Sequence, residues 1–181
     1  GDHRDLHLSI RRQRQMCIRD SHKSKGFDLA MNYLSELREL SWEWHILGEG
    51  EEWHRLEKQI ISLGLEQRVV LHGHTPLAST YLKSFDVFFL PSRTESLGYV
   101  AMEAIQTDLP ILASNAGGIP EVLRKDPGTT FVNIRSKETK DIIEKFLKNI
   151  PISVFDAARA DLRKEFSLEH MMRLTKAVYL F

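Results

Sequence analysis

Two glutamates, Glu95 and Glu103, stand in a segment that directly follows a short apolar run closed by Pro91. Such a run predicts a buried strand, so Glu95 falls in the loop at the strand's C-terminal end, where open α/β sheets bind ligands. A helix predicted from about Leu97 presents unpaired N–H groups there, and Gly98 permits close approach to the backbone. This arrangement favours a diphosphate. The two carboxylates, at most roughly 12 Å apart along a helix, could accept hydrogen bonds from hydroxyl groups on either side of it.

The spacing of the two glutamates has a second explanation. Glu95 could cap the helix and Glu103 could be a solvated side chain on its surface, with no ligand involved. Spacing alone favours this second explanation. The choice therefore depends on the elements that surround the pair.

Helix and strand patterns alternate from residue 25 onward. Apolar residues recur at helical spacing in two early segments, and Gly64 is predicted to end the second helix. Their apolar faces consist of Leu29, Tyr33, Leu37 and Leu40, and of Trp53, Leu56, Ile60 and Leu63. Strands are predicted at 44–47, 69–71, 87–90, 110–113 and 129–132, and further helices near 77–84, 97–107 and 117–124. Residues 136–181 are predicted to be helical, with breaks at Pro151 and Ser167.

This order of elements predicts the fold. Continuous apolar strands separated by amphipathic helices are typical of a parallel sheet covered on both faces. The fold class is therefore α/β, a doubly wound parallel sheet followed by C-terminal helices. The three tryptophans are expected in its core rather than at a cofactor: Trp42, Trp44 and Trp53.

The first 24 residues do not fit this pattern. They are polar and basic, and the run from Arg12 to Ser21 resembles a translated sequencing adapter. The alternative is a natural, disordered basic arm. No strand is predicted before Lys25 and Gly26, so we expect an exposed sheet edge or core there. The predicted organisation is a non-native or disordered segment at 1–24 and one domain at 25–181.

Composition limits the function. The chain has 25 basic and 25 acidic residues, so no basic excess exists to bind nucleic acid. Its single cysteine, Cys17, cannot form an intrachain disulfide, which fits a reducing compartment. No apolar run is long enough to span a bilayer, and no signal peptide is evident. The expected location is cytoplasmic or at the cytoplasmic face of a membrane.

Five motifs in register carry a family resemblance. They are Lys25–Leu29, Ile46–Gly50, Val69–Gly73, Phe85–Ala104 and Leu109–Val122. The chain from about residue 25 to 181 resembles the C-terminal domain of GT-B, family 4 retaining glycosyltransferases, the "glycosyl transferases group 1" type. The resemblance implies a Rossmann-like domain that binds a nucleotide sugar, with Glu95 and Glu103 as functional residues.

The resemblance also implies residue roles. Glu95 contacts the donor sugar, Glu103 contacts the nucleotide ribose, and Lys25 neutralises the diphosphate and the charge that develops on the leaving group. Glu95 and Lys25 are the predicted catalytic residues. The alternative for Lys25 is a solvated side chain at a helix start, although a cation there opposes the helix dipole. The backbone expected to hold the diphosphate is Ser96, Leu97, Gly98, Tyr99 and Val100.

Several other residues are considered for the site. Gly48 and Gly50 are expected to let the backbone pass close to the donor, or else to form a simple turn, and His74 is expected near the base. No metal site is predicted, because His72 and His74 lack a third ligand. The family's usual Arg before the Lys-Gly motif could be Arg19, which lies in the adapter-like segment and is not assigned a role. Gly117 and Gly118 are expected to serve a tight turn and helix packing.

The implied enzyme is larger than this chain. Retaining transfer of a hexosyl unit from a UDP-, GDP- or ADP-sugar would need a second, N-terminal domain that holds the acceptor, which could be a glycan, a lipid or a small molecule. No cofactor is expected beyond the donor, and the parent protein could be peripheral to a membrane. The fragment alone is expected to be inactive. The alternatives are a non-catalytic nucleotide-sugar-binding module and a sugar-nucleotide epimerase of the same fold.

Overall fold

The computed structural model describes residues 13–18, 22–74, 84–96, 99–107, 109–150, 157–167, 169–170 and 172–173. Strands in these ranges are β1 (Gln13–Ile18), β2 (Trp42–Leu47), β3 (Val69–Gly73), β4 (Val87–Leu90), β5 (Ile111–Ser114) and β6 (Thr129–Val132). Helices are α1 (Phe27–Ser35), α2 (Trp53–Ser62), α3 (Tyr99–Ile105), α4 (Ile119–Leu123), α5 (Thr139–Lys148) and α6 (Ala157–Glu165). A 3-10 turn at Lys23–Lys25 precedes α1. The helix predicted near 77–84 falls largely outside the described residues.

The strands form one parallel sheet in the order β3-β2-β1-β4-β5-β6. In chain order, the strands run from β1 in the middle of the sheet to β3 at one edge, and then from β4 in the middle to β6 at the other edge. This is the doubly wound arrangement, and it confirms the predicted fold class. The order reverses between β1 and β4. Open α/β sheets bind their ligands at such a point, beyond the C-terminal ends of the strands.

The prediction that no strand precedes Lys25 is wrong. The β1 strand, Gln13–Ile18, pairs with β2 along its length and with β4 at two positions, Gln15↔Val87 and Met16↔Phe88. Its place between two apolar strands follows from backbone hydrogen bonds to both neighbours, which its own half-polar sequence does not reveal. The expected exposed edge beside β2 and β4 is therefore absent, and the described edges are β3 and β6. Whether residues 1–24 derive from an adapter stays a prediction.

The core has two parts, one on each face of the sheet. On one face, α1, α2 and α5 pack against apolar side chains from β2 through β6, and the Trp44 ring lies between Phe27 and Phe89 at centroid distances of 5.8 and 5.5 Å. On the other face, α3, α4 and α6 cover β4 and β5. Trp42 and Trp44 are buried as predicted, whereas Trp53 is only partly buried and donates its Nε1–H to Glu57 at the surface.

The buried face of α1 differs from the prediction. It consists of Phe27, Ala30, Met31 and Leu34. Both sets have helical spacing, but α1 ends at Ser35, so Leu37 and Leu40 pack from the following turn instead.

Two predicted helix ends agree with the structure. Gly64 has the left-handed φ of 61° expected after α2. Ser167 accepts a hydrogen bond from the His170 N–H at 3.2 Å, as expected of a helix start.

Two arginines of α6, which sequence reasoning missed, bind the C-terminal end of α3, the helix that follows Glu95, and the segment after it. Arg159 of α6 donates to both carboxylate oxygens of Asp126 at 2.6 and 2.5 Å, and the two side chains are 1% and 0% exposed. The same guanidinium donates to the Leu109 carbonyl at 2.7 Å. Arg163 donates to the carbonyl of Ile105 at 2.8 Å, at the C-terminal end of α3. Cations there satisfy free carbonyls and complement the helix dipole.

Candidate functional site

The candidate site lies at the C-terminal ends of β1 and β4, where the strand order reverses. Lys25 follows β1, and Glu95 follows β4, so the two central strands deliver them to the same edge of the sheet. Lys25 Nζ donates to Glu95 Oε2 at 2.8 Å. The two side chains are 17% and 10% exposed, so the pair is partly withdrawn from water. The sequence predicts both residues in one site, and the structure adds their direct contact across 70 positions.

A glycine brings the Lys25 turn against the end of β4. Gly26 follows the 3-10 turn with a left-handed φ of 68°. A Cβ on Gly26 would lie 2.1 Å from the Pro91 carbonyl oxygen, far inside any allowed contact. Only glycine therefore fits, because both the backbone conformation and the space exclude a side chain. This close approach allows the Lys25 ammonium to reach the loop after β4.

Gly117 and Gly118 hold the backbone of Glu95. The Gly118 N–H donates to the Glu95 carbonyl at 2.9 Å, and a Cβ on Gly117, whose φ is 55°, would lie 1.8 Å from that oxygen. The sequence predicts a tight turn and helix packing here, and α4 does begin at Ile119. The structure adds a role that the sequence did not suggest: these glycines fix the residue that carries the paired carboxylate.

Arg93 and Asp28 form a second ion pair beside the first, and sequence reasoning missed it. Arg93 donates to both Asp28 oxygens, at 2.6 and 2.7 Å. Burial raises the pKa of Asp28, but the hydrogen bonds and charge of Arg93 outweigh it and hold that pKa below its usual value. The pKa of Arg93 is raised in turn, chiefly by its hydrogen bonds to Asp28. Both groups are therefore charged at neutral pH.

The segment after Glu95 is described in part. Ser96 is exposed, Leu97 and Gly98 lie outside the described residues, and α3 is described from Tyr99 onward, so the predicted start near Leu97 stays a prediction. Tyr99 is 54% exposed. Val100 belongs to α3, and the exposed Glu103 lies four residues along that helix from Tyr99. Their predicted roles at the diphosphate and the ribose stay predictions.

The loops that follow β2 and β3 carry the remaining predicted residues. The Gly48 N–H donates to the Gly73 carbonyl at 2.8 Å, and Gly48 has a φ of 126° that favours glycine. Gly50 follows in the same loop, after β2. Glu49, which sequence reasoning passed over, accepts the N–H of His74 at 3.1 Å. Gly48, Gly50 and His74 thus belong to two loops joined by backbone contacts at the edge that carries Lys25.

His72, within β3, has a partner of its own. His72 Nε2 lies 2.8 Å from His45 Nδ1, and the two rings stack. Burial and then the charge of His45 lower the pKa of His72. Among the described residues, no group of three or more His, Cys, Asp or Glu side chains is placed to hold a metal ion.

Comparisons with known proteins decide the family. A family model described as "Glycosyl transferases group 1" matches residues 16–165. The chain belongs to this family. The match begins inside β1, so the resemblance reaches further towards the N-terminus than residue 25, where the sequence motifs begin.

Relatives and solved structures agree with the family assignment. The chain is 25% identical over 180 residues to a Rhizobium meliloti lipopolysaccharide core biosynthesis mannosyltransferase, LpsB, covering 90% of this chain and 50% of the relative. It is 34% identical over 100 residues to the Arabidopsis thaliana sulfoquinovosyl transferase SQD2, covering 55% of this chain and 19% of the relative. The chain therefore spans half or less of these curated relatives.

The solved structures show the fold. Anabaena HepE in complex with UDP matches with a TM-score of 0.79 at 19% identity, over 96% of this chain and 50% of HepE. A sucrose-phosphate synthase from Thermosynechococcus elongatus matches with a TM-score of 0.80 at 18% identity, over 97% of this chain and 47% of the synthase. The glycosyl transferases group 1 domain described above thus has the Rossmann-like fold of one half of a GT-B glycosyltransferase. Within its described part, no helix is both long and apolar enough to cross a bilayer.

Proposed function

We propose that this domain binds a nucleoside-diphosphate sugar as the donor for retaining transfer of a hexosyl unit to an acceptor hydroxyl. The observation that carries the proposal is the Lys25–Glu95 contact of 2.8 Å at the sheet's reversal point, in a chain of the glycosyl transferases group 1 family. A cation and a carboxylate side by side can bind the two unlike parts of such a donor. The ammonium suits the diphosphate, and the carboxylate suits the sugar hydroxyls.

Lys25, Glu95 and Glu103 would each contact a different part of the bound donor. Breaking the bond between sugar and diphosphate leaves negative charge on the diphosphate, and Lys25 would stabilise that charge. Glu95 would orient the sugar, and Glu103 would accept hydrogen bonds from the ribose. Support for a uridine nucleotide comes from HepE, whose solved structures include complexes with UDP and with UDP-glucose.

The proposed parent enzyme has a second domain on the N-terminal side of this one. In the full protein, transfer would occur in the cleft between the domains, with the acceptor held by the N-terminal half. The 181-residue chain should therefore bind donor without rapid transfer. Binding without turnover in the complete protein as well would favour a non-catalytic module, whereas the family assignment favours a transferase over an epimerase.

Calorimetric titration of the chain with UDP-, GDP- and ADP-glucose tests the proposal. We expect one of them to bind, and Lys25→Met to lower its affinity by about tenfold or more, since hydrogen bonds to charged groups contribute about 1.5–3 kcal/mol. Lys23→Met is the matched control, because Lys23 lies in the same 3-10 turn and is exposed. Equal losses in both variants, or no binding of any donor, would contradict the proposal.

A further inference from the structure

We infer that Arg93 is a positioning residue for Lys25: it fixes the turn that presents the Lys25 ammonium to the donor diphosphate. The inference rests on the proposed function. Arg93 donates two hydrogen bonds to this turn. Its Nη1 donates to the Lys23 carbonyl at 2.7 Å, and its backbone N–H donates to the Ser24 carbonyl at 2.7 Å. The two residues that directly precede Lys25 are therefore both bonded to Arg93.

Asp28 fixes the guanidinium in the orientation that reaches the turn. Its carboxylate accepts two parallel hydrogen bonds from Arg93, and the side chains are only 15% and 13% exposed. Such a fork restricts the guanidinium plane, which a single contact would not do. Nη1 bonds both Asp28 and the Lys23 carbonyl, so one nitrogen joins α1 to the turn. Arg55 also approaches Asp28, at 3.7 Å, but it is 54% exposed and has no described contact with the turn.

The position of Arg93 in the chain connects its hydrogen bonds to the Lys23–Lys25 turn with the donor site. Arg93 and Glu95 lie on the same loop after β4, two residues apart. The loop therefore holds the backbone before Lys25 through Arg93 and the Lys25 ammonium through Glu95. Arg93 sets the separation between the ammonium and the carboxylate. Loss of its side chain should weaken donor binding only through Lys25.

A measurement without ligand tests the positioning directly. The acylation rate of the Lys25 amine by a trace of acetic anhydride is followed by peptide mass spectrometry, with the exposed Lys23 amine as internal reference. Arg93→Met should raise the Lys25 rate by up to about fivefold, the fold-change that corresponds to an ion pair of about 1 kcal/mol. Arg55→Met, the matched control, should leave it unchanged. An unchanged rate in Arg93→Met would overturn the inference.

A double-mutant cycle with UDP-glucose provides the second readout. Arg93→Met should lower affinity about tenfold in the chain with Lys25 and have no effect in Lys25→Met. Additive losses would overturn the inference, because Arg93 would then act independently of Lys25. If UDP-glucose fails to bind the unsubstituted chain while the amine rate responds as expected, the proposed function fails for this probe and the positioning stands.

A conservative variant keeps the test valid if Arg93→Met does not fold. Arg93→Lys retains the charge but lacks the fork, so it cannot bond Asp28 and the Lys23 carbonyl in the same way. With its fold checked by circular dichroism, it should show a smaller rise in the Lys25 acylation rate than Arg93→Met, and a partial loss of UDP-glucose affinity. A Lys25 rate equal to that of the unsubstituted chain would again contradict positioning by the guanidinium.

Discussion

Substitution of Gly117 by alanine should disturb the site through the backbone of Glu95. The new Cβ would lie 1.8 Å from the Glu95 carbonyl oxygen and 2.8 Å from its carbonyl carbon. Ordinary contacts are roughly 3.5 Å, so the two segments must separate by well over an ångström. The left-handed φ of 55° adds strain for any residue with a Cβ.

The two effects give an expected cost for Gly117→Ala. The left-handed conformation costs about 1–2 kcal/mol, and the steric overlap adds about 1–3 kcal/mol. The free energy of unfolding, measured by urea denaturation, should therefore fall by about 2–5 kcal/mol. Nucleotide-sugar affinity should fall as well, because the displaced Glu95 no longer meets Lys25 at 2.8 Å.

Gly64→Ala is a control that has the left-handed backbone strain of Gly117→Ala without its steric overlap. Gly64 has a similar φ of 61°, but the nearest atoms to its added Cβ are the flexible Arg38 guanidinium nitrogens at 3.5 Å. This control should lose only about 1–2 kcal/mol and should bind donor normally. Equal destabilisation and equal donor affinity in the two variants would refute the reasoning that Gly117 holds Glu95.

Three further predictions concern other parts of the domain. Arg159→Met should lower the free energy of unfolding in urea by about 3–5 kcal/mol, because it leaves Asp126 buried without its cation; a loss below 1 kcal/mol would contradict this. The lowered pKa of Asp28 implies stability that is present above about pH 4 and lost as pH falls through the folded-state pKa, so Asp28→Asn should flatten the urea stability profile below pH 4. An unchanged profile would refute it. Glu103→Ala should abolish donor binding in calorimetry, whereas substitution of the partly exposed Glu144 of α5 by alanine should not; unchanged affinity in the first would exclude the ribose role.

Strand positions followed from the sequence where a strand's own residues define it. The bounds of β4 and β6 match the predicted 87–90 and 129–132, because each is a short apolar or β-branched run with clear ends. The β1 strand was missed for the opposite reason. Its pairing partners, β2 and β4, are distant in sequence, and only three of its own six residues are apolar.

The site was predictable as a set of residues but not as a geometry. Lys25 and Glu95 were recognised from motifs that each occupy a few consecutive residues. Their contact joins segments that only the sheet topology brings together. The same is true of the close approach of Gly117 to the Glu95 backbone. Arg93 was missed because a charged loop residue has no local signal that distinguishes a solvated side chain from a forked ion pair.

Titration of the 15N-labelled chain with UDP-glucose, followed by backbone amide shifts in NMR spectra, shows whether a nucleotide sugar binds beside Lys25 and Glu95. We expect the amides of Gly26, Glu95 and Gly118 to shift most, since they surround the ion pair. The largest shifts in the groove between α2 and β3, at Trp53 and Leu71, would contradict it.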